Sequence, residues 1–375
     1  MQLLISSHWN KIVIARHAHI GPPGRRVRWI IAFMLTLSAI GVLTTSYAES
    51  DHESGSFVIF GAATAQRHET VPMGADMKKT EFDPALTAVY SAQKSPLRLF
   101  VEARATDEEV SLERMHLGYE ATPTTTLWLG RFHSLAGYWN SQFHHSEYLQ
   151  PSIHRPAIAE FDEHGGILPS HFVGGELSTL ILNDASTLRL EFGAGKGARQ
   201  AEEGIQSAEL YRWSGVGNTL GARLSYSPQA GEPGVFGIFA SHNNLPAEGN
   251  PAASVRQQVS GVFAHVEQGQ IRVLGELYRI HNRSEVTGSG TFVTGYAHAE
   301  YLFEAGWTLY GRLEHTWNDD DTYLSDFHHF ERRRRLLGLR FDVTPRQSIK
   351  AEYTRADFKT VTSNQYGLQW SFVWP

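Results

Sequence analysis

Tyr366-Gly-Leu368-Gln-Trp370-Ser-Phe372-Val-Trp374-Pro375 are the last ten residues of the sequence. Every second residue is large and apolar; between them stand Gly, Gln, Ser and one Val. In an extended chain, a two-residue period puts all five large side chains on one face. A soluble protein needs a second sheet to cover such a face. In an exported chain, lipid covers it without one.

Export is readable at the other end. Arg25, Arg26 and Arg28 precede an uncharged apolar run, Trp29 to Leu43, and Ser46-Tyr47-Ala48 supplies the small residues of a cleavage site. A basic flank, a short apolar run and an A-x-A-like site describe a secretory signal peptide. The run is shorter than the roughly 20 residues a spanning helix needs. Residues 1–48 are therefore expected to be a signal peptide cleaved after Ala48, and residues 49–375 a single domain. The leader holds 5 of the 33 basic residues and no acid, so 33 − 5 = 28 basic residues face 39 acidic ones and the net charge becomes −11 rather than −6. A polyanion lacks the basic footprint of nucleic-acid binding. With no cysteine, disulfide frameworks and thiolate metal sites are excluded.

The same alternation recurs along the chain. Pro96 to Arg104 places Leu97, Leu99, Val101 and Ala103 on one face and Arg98, Phe100, Glu102 and Arg104 on the other. Leu188 to Phe192, Leu309 to Glu314, Leu339 to Val343 and Ile349 to Thr354 follow suit. On their polar faces, opposite charges sit two apart: Arg189 and Glu191, Arg312 and Glu314, Arg340 and Asp342, Lys350 and Glu352. Charges face hydrocarbon only at high cost, so these faces are expected to line a wet interior. A soluble β-sandwich would share the alternation but needs apolar residues on its second face. Aromatic residues near strand ends (Tyr211, Trp213, Tyr226, Tyr278, Tyr296, Tyr301, Trp307, Tyr310, Trp317) suit interfacial girdles. The reading is an all-β chain forming a transmembrane antiparallel β-barrel of about 16 strands, an even number as closed barrels require.

Turn residues at Lys94-Ser-Pro96, Ala121-Thr-Pro123, Asn183-Asp184, Gly215 to Asn218, Glu267-Gln-Gly269, Glu304-Ala-Gly306 and Thr344-Pro345 predict tight reversals. Longer polar connections fall at 66–83, 133–169, 197–206, 243–255, 282–290, 318–331 and 358–364. Between 170 and 256 this up-down count slips by one strand.

Taken with the signal, one long early loop and the aromatic last strand, the pattern resembles the Gram-negative porin superfamily. Members usually end on Phe or Trp itself; here Pro375 follows Trp374. The resemblance implies an outer-membrane channel for passive diffusion of small hydrophilic solutes or ions, without catalysis or cofactor. It also implies a homotrimer, contact with outer-membrane lipid and lipopolysaccharide, and recognition by the barrel-assembly machinery. It implies that the long loop folds inward as a constriction. Alternatives are a non-conducting barrel (structural, adhesive or metal-binding) and an outer-membrane hydrolase. No G-x-S-x-G, P-loop or H-E-x-x-H supports the last.

The loop near 133–169 is the longest non-alternating region, and such a loop in a compact fold is usually functional. Tyr138, Trp139 and Phe143 are expected to anchor it, and Gly165-Gly166 to let it bend. It carries His144, His145, Asp162 and Glu163, which join the charged faces as candidates for the constriction. His144, His145 and His164 are weak metal candidates. Their spacing matches no standard site, so tight metal binding is not expected. Arg332 to Arg335 form the strongest basic run, with Arg332 and Arg334 expected inward and Arg333 and Arg335 outward. They either clamp lipopolysaccharide phosphate or neutralise Asp319, Asp320, Asp321 and Glu331. The net charge predicts a cation-preferring pore.

Overall fold

The computed structural model describes residues 53–71, 78–144, 146–160, 166–201, 204–211, 213–228, 234–247, 250–318, 330–358 and 361–375. The expected signal peptide (residues 1–48), His145, Asp162, Glu163, His164, Gly165 and Asp319 to Asp321 lie outside the described residues. The strands are β1 (Glu53–Val71), β2 (Lys78–Lys94), β3 (Leu97–Thr106), β4 (Val110–Thr122), β5 (Thr125–His133), β6 (His171–Leu182), β7 (Thr187–Lys196), β8 (Ala198–Ala201), β9 (Gly204–Ser207), β10 (Asn218–Ser227) and β11 (Gly234–Leu245). They continue as β12 (Val255–Gln268), β13 (Ile271–Ser284), β14 (Gly288–Leu302), β15 (Trp307–Trp317), β16 (Arg333–Thr344), β17 (Gln347–Asp357) and β18 (Thr362–Trp374). All but β8 and β9 form one closed antiparallel barrel of 16 strands, with β18 paired to β1 through registers such as Ala65↔Leu368 and Ala62↔Ser371. Closure leaves no unpaired edge, the condition for a sheet to sit in hydrocarbon.

The closing strand behaves as its alternation requires. Leu368 and Trp370 are 56% and 44% exposed on the outside, whereas Gln369 and Ser371 between them are 2% and 0% exposed inside. The outward row extends around the barrel through Leu129, Ile238, Leu313 and Leu337. Each such side chain is worth about 1.5–3 kcal/mol when transferred from water to an apolar medium. Inward positions carry Arg, Glu, Gln, Ser and Thr, so the barrel is greasy outside and polar within.

Tight turns at one end and long connections at the other are observed, with corrections. Gly215 to Asn218 belongs to the long-connection end. The missed reversal is 228–233, between β10 and β11, and this is where the strand count slipped. The expected loops at 66–83 and 282–290 are largely strand: β1 runs to Val71, β2 starts at Lys78, and only residues 285–287 separate β13 from β14. Much of 197–206 is paired as the β8–β9 hairpin. Polar side chains misled the reading there, because polar residues inside a wet barrel look like loop.

Three of the expected girdle residues also turn inward. Tyr278, Tyr296 and Tyr310 are buried in the lumen, while Tyr226, Tyr301, Trp307 and Trp317 stay outside. Tyr310 lies across the strand pair from Gly338, and a Cβ there would meet its ring at 2.2 Å. Glycine is thus the residue that lets this tyrosine lie flat against the wall. The apolar core also sits inside: Trp139, Ile158, Ile167 and Leu168 of the 134–170 loop pack on Phe239, Phe263, Tyr278 and Phe292 of β11 to β14.

Candidate functional site: a clasped loop and the cavity beside it

The 134–170 loop enters the barrel through a neck closed by the bond from Ser134 N to Ser170 O, 2.7 Å. Its helix α1 (Trp139–Phe143) is only five residues long and has no side-chain cap at Tyr138. The wall caps it instead. Tyr138 N and Trp139 N each donate at 2.8 Å to the two carboxylate oxygens of Glu276 on β13. Tyr278 and Tyr296 hydroxyls, at 2.8 and 2.5 Å, complete that carboxylate's shell. Gly137 precedes this contact at φ +83°, and a Cβ on it would strike Tyr278 Oη at 2.0 Å. Only glycine turns the chain into the wall here.

The same device recurs along the wall. Glu314 accepts from Ala157 N at 2.6 Å, and Glu352 from Ile153 N at 2.9 Å, His154 N at 3.2 Å and His154 Nδ1 at 2.5 Å. Cations hold the loop's carbonyls. Arg312 donates to Ser152 Oγ at 2.6 Å and His154 O at 2.8 Å, Arg340 to Tyr148 O at 3.0 Å, and Lys350 to Glu147 O and Gln150 O, each at 2.7 Å. Arg223 of β10 reaches Gly137 O at 3.2 Å, and Arg334 bonds Arg155 O. Tyr148 Oη donates to Pro345 O at 2.6 Å, so the loop reaches from the long-connection rim down to a turn at the opposite end. Breaking one partner of such a buried set strands a charge, at a cost of about 3–5 kcal/mol.

These contacts divide the expected pore-lining residues in two. Arg312, Glu314, Arg340, Lys350 and Glu352 grip loop backbone, a role that alternation along their strands cannot reveal. Asp342 supports Arg340, 2.8 Å from its Nε. Arg104 pairs with Glu147 of the loop at 2.6 Å. Arg334 also pairs with Glu331, the neutralising half of the earlier alternatives for the basic run, while Arg333 and Arg335 face outward as expected.

Arg98, Arg189 and Glu191, by contrast, line a cavity of about 580 Å³ between the loop and the β3 to β11 wall. Arg114, Glu176, Arg223, Trp128 and loop residues Ser134, Leu135, Tyr138 and Gln142 share that lining. Arg98 pairs with Glu120 (2.7 Å from Nε), Glu102 with Arg114, and Glu191 with Arg223 at 2.7 and 2.9 Å rather than with its strand neighbour Arg189. Stacked rings cross the wall from Phe100 to His116, Phe132 and Phe172 at centroid spacings of 5.0, 4.8 and 5.1 Å. The sequence reading did not single out Glu276, Arg223, Arg114 or Glu147. Glu276 shares its face with Tyr278, and the expectation of that tyrosine in the outward girdle hid both.

Burial pushes the Glu147 carboxyl up, but the Arg104 guanidinium beside it more than reverses this and holds it below its ordinary 4.5. A depressed carboxyl contributes stability that is complete above the unfolded value and is lost as pH falls through the folded one. The Arg104–Glu147 clasp should therefore hold at pH 5 and fail only below 4.5. Limited proteolysis across 134–170 checks this: a wild-type loop cut as readily at pH 5 as in Glu147→Gln would refute it.

Of the weak metal candidates, His144 is placed at the C-terminal end of α1, among histidines the sequence reading had not grouped with it. It meets His133, the last residue of β5, and His171, the first of β6; all three are buried, and one ring nitrogen from each lies within 4.8 Å of the others.

No family model matches the sequence, and no curated protein matches it. Solved structures do. An anion-selective porin from Comamonas acidovorans superposes with TM-score 0.60 at 9% identity, covering 86% of this chain and 100% of its own. The outer membrane channel DcaP of Acinetobacter baumannii gives 0.57 at 10% identity, covering 88% and 99%. The trimer form of OmpT, an outer membrane protein of Vibrio cholerae, gives 0.55 at 10%, covering 86% and 100%. The chain has the fold of the bacterial outer-membrane porins.

Proposed function

We propose that the chain is an outer-membrane channel through which small hydrophilic solutes and ions diffuse passively, filtered by size and charge beside the clasped loop. The observation that carries this reading is the 580 Å³ cavity that the loop leaves open along a charged, polar wall inside a closed barrel. Residues 1–48 serve as its export signal and 49–375 as its barrel, with β18 presented to the assembly machinery. Its work is passage rather than catalysis. A serine, a histidine and a carboxylate do meet at the rim (Ser170 Oγ 2.6 Å from His171 Nδ1, His171 Nε2 3.4 Å from Glu113), but Ser170 is buried and absent from the cavity lining. The trimer form of the Vibrio cholerae neighbour supports a homotrimer here. Outward Arg256, Arg279, Arg283, Arg333, Arg335 and Arg355 at the long-connection rim fit lipopolysaccharide phosphates. Single-channel recording in planar bilayers tests the reading. Discrete conductance steps are expected; a silent, folded barrel would favour the non-conducting alternative.

Local charge argues against the cation preference expected from net charge. The cavity lining holds four arginines (Arg98, Arg114, Arg189, Arg223) against two glutamates (Glu176, Glu191). Charges on distant loops are screened beyond roughly 8–10 Å at physiological salt, so the lining governs selection. Among the described residues Arg189 forms no ion pair, which leaves its charge available to a passing ion. An anion preference is expected, and the Comamonas acidovorans neighbour is an anion-selective porin. Reversal potentials in a salt gradient should show it, and Arg189→Glu should shift them toward cations. Cation preference in the wild type would reject this assignment.

A further inference from the structure

We propose that His133, His144 and His171 bind one divalent transition-metal ion, zinc by the chemistry of the donors, and that the ion staples the loop to the barrel rim. His133 also borders the cavity, but the proposal concerns how the loop is held and not what passes.

The three residues come from separate elements. His133 ends β5, His171 opens β6 opposite it in register, and His144 closes α1 within the loop. Their rings approach pairwise at centroid distances of 4.6, 4.9 and 5.4 Å with interplanar angles of 65°, 60° and 79°. The rings are inclined rather than stacked, unlike the near-parallel pair of His116 and Phe100 at 7°, and one nitrogen of each lies within 4.8 Å of the others. Tetrahedral zinc with bonds of 2.0–2.1 Å sets its nitrogens about 3.4 Å apart. Nitrogens within 4.8 Å of one another need to draw in by about 1.4 Å at most, within reach of side-chain rotation at the end of a five-residue helix.

The surroundings supply what a metal-binding imidazole needs. Ser170 Oγ sits 2.6 Å from His171 Nδ1, which fixes the ring and leaves Nε2 as the ligating atom. On that side Glu113 Oε2 lies 3.4 Å away, beside the three clustered histidines rather than among them. Glu113 is oriented by Ser111 Oγ and by Arg131, whose Nη1 is 3.6 Å from Oε2. Arg131 opposes a dication, but its charge is balanced by that carboxylate and its N–H groups are held by Glu113 O and Ala208 O at 2.7 and 3.2 Å. Three imidazoles, with water free to complete the shell, suit zinc, copper or nickel and not calcium or magnesium, which take oxygen.

The full protein, purified in detergent from outer membranes without a histidine tag, should carry or take up about one zinc per chain, measured by atomic absorption and titration calorimetry. His144→Ala and His171→Ala should abolish it, while His281→Ala, outside the cluster, should retain it. Because a histidine variant could lose its fold, Ser170→Ala gives a second arm: it keeps the ligands and should weaken zinc binding by about 10–100-fold. Heat-modifiable migration in gels confirms that each barrel is folded. Cobalt should give the visible absorption of a tetrahedral site. A wild-type protein that binds no zinc, or zinc binding that survives His144→Ala with His171→Ala, overturns the proposal.

Discussion

Replacing residues 138–166 by a short Gly-Ser linker is expected to raise single-channel conductance several-fold while the barrel still folds. A 16-strand barrel encloses an aqueous lumen when nothing fills it. Here the loop fills the side facing β11 to β18 and confines the open space to the β3 to β11 side. Excision returns Glu276, Glu314, Glu352, Arg312 and Lys350 to water, where each is hydrated, so no buried charge is stranded. The barrel's own backbone bonds are untouched, including closure between β1 and β18. A point change is harsher on the loop than on the barrel. Glu276→Ala removes the acceptor for Tyr138 N, Trp139 N and two tyrosine hydroxyls together, so it should give unstable, flickering conductance between the wild-type and excised levels. Unchanged conductance after excision would mean that ions do not pass beside the loop.

That expectation rests on contacts of a kind the sequence expresses poorly. The barrel was legible because alternation is local: Tyr366 to Trp374 states its two faces in nine residues, and lipid rewards every outward side chain alike. Inward residues carry two meanings that local sequence does not separate. Arg189 and Arg312 both stand two positions before a glutamate on a polar face. Arg189 faces the cavity, whereas Arg312 is buried against Ser152 and His154 of the loop. What distinguishes them is which part of the chain folds back against each, a contact some 160 residues away for Arg312. The histidines show the same limit. His144 was visible as a candidate, but its partners lie at the ends of strands on either side of the loop, joined by the register of β5 with β6. Net charge is a coarse guide to selectivity for a related reason: it sums over the whole chain, while an ion responds to the few guanidinium and carboxylate groups within a screening length.

The outward face allows a graded measurement. On β16 the outward row runs from Arg333 and Arg335 through Leu337 and Leu339 to Phe341 and Val343, so guanidinium groups at the rim give way to hydrocarbon within four residues. Leu339 lies midway, flanked by Leu309 on β15 and Ala351 on β17. An arginine at the middle of the bilayer costs about 2–4 kcal/mol, falling to about 0–1 kcal/mol at the interface. Leu339→Arg is therefore expected to lose about 2–4 kcal/mol in reversible guanidinium unfolding from lipid vesicles. Leu337→Arg, one outward step nearer Arg335, should lose distinctly less. The gradient is the decisive part. If lipid covers this face, cost must follow depth along a single strand, with neighbours and secondary structure held nearly constant. Equal losses at the two positions, or losses within the ±0.5 kcal/mol usual for water-exposed surface sites, would mean that water or another protein covers β16. The alternating face from Tyr366 to Trp374 would then need the same partner, since β17 alone separates the two strands.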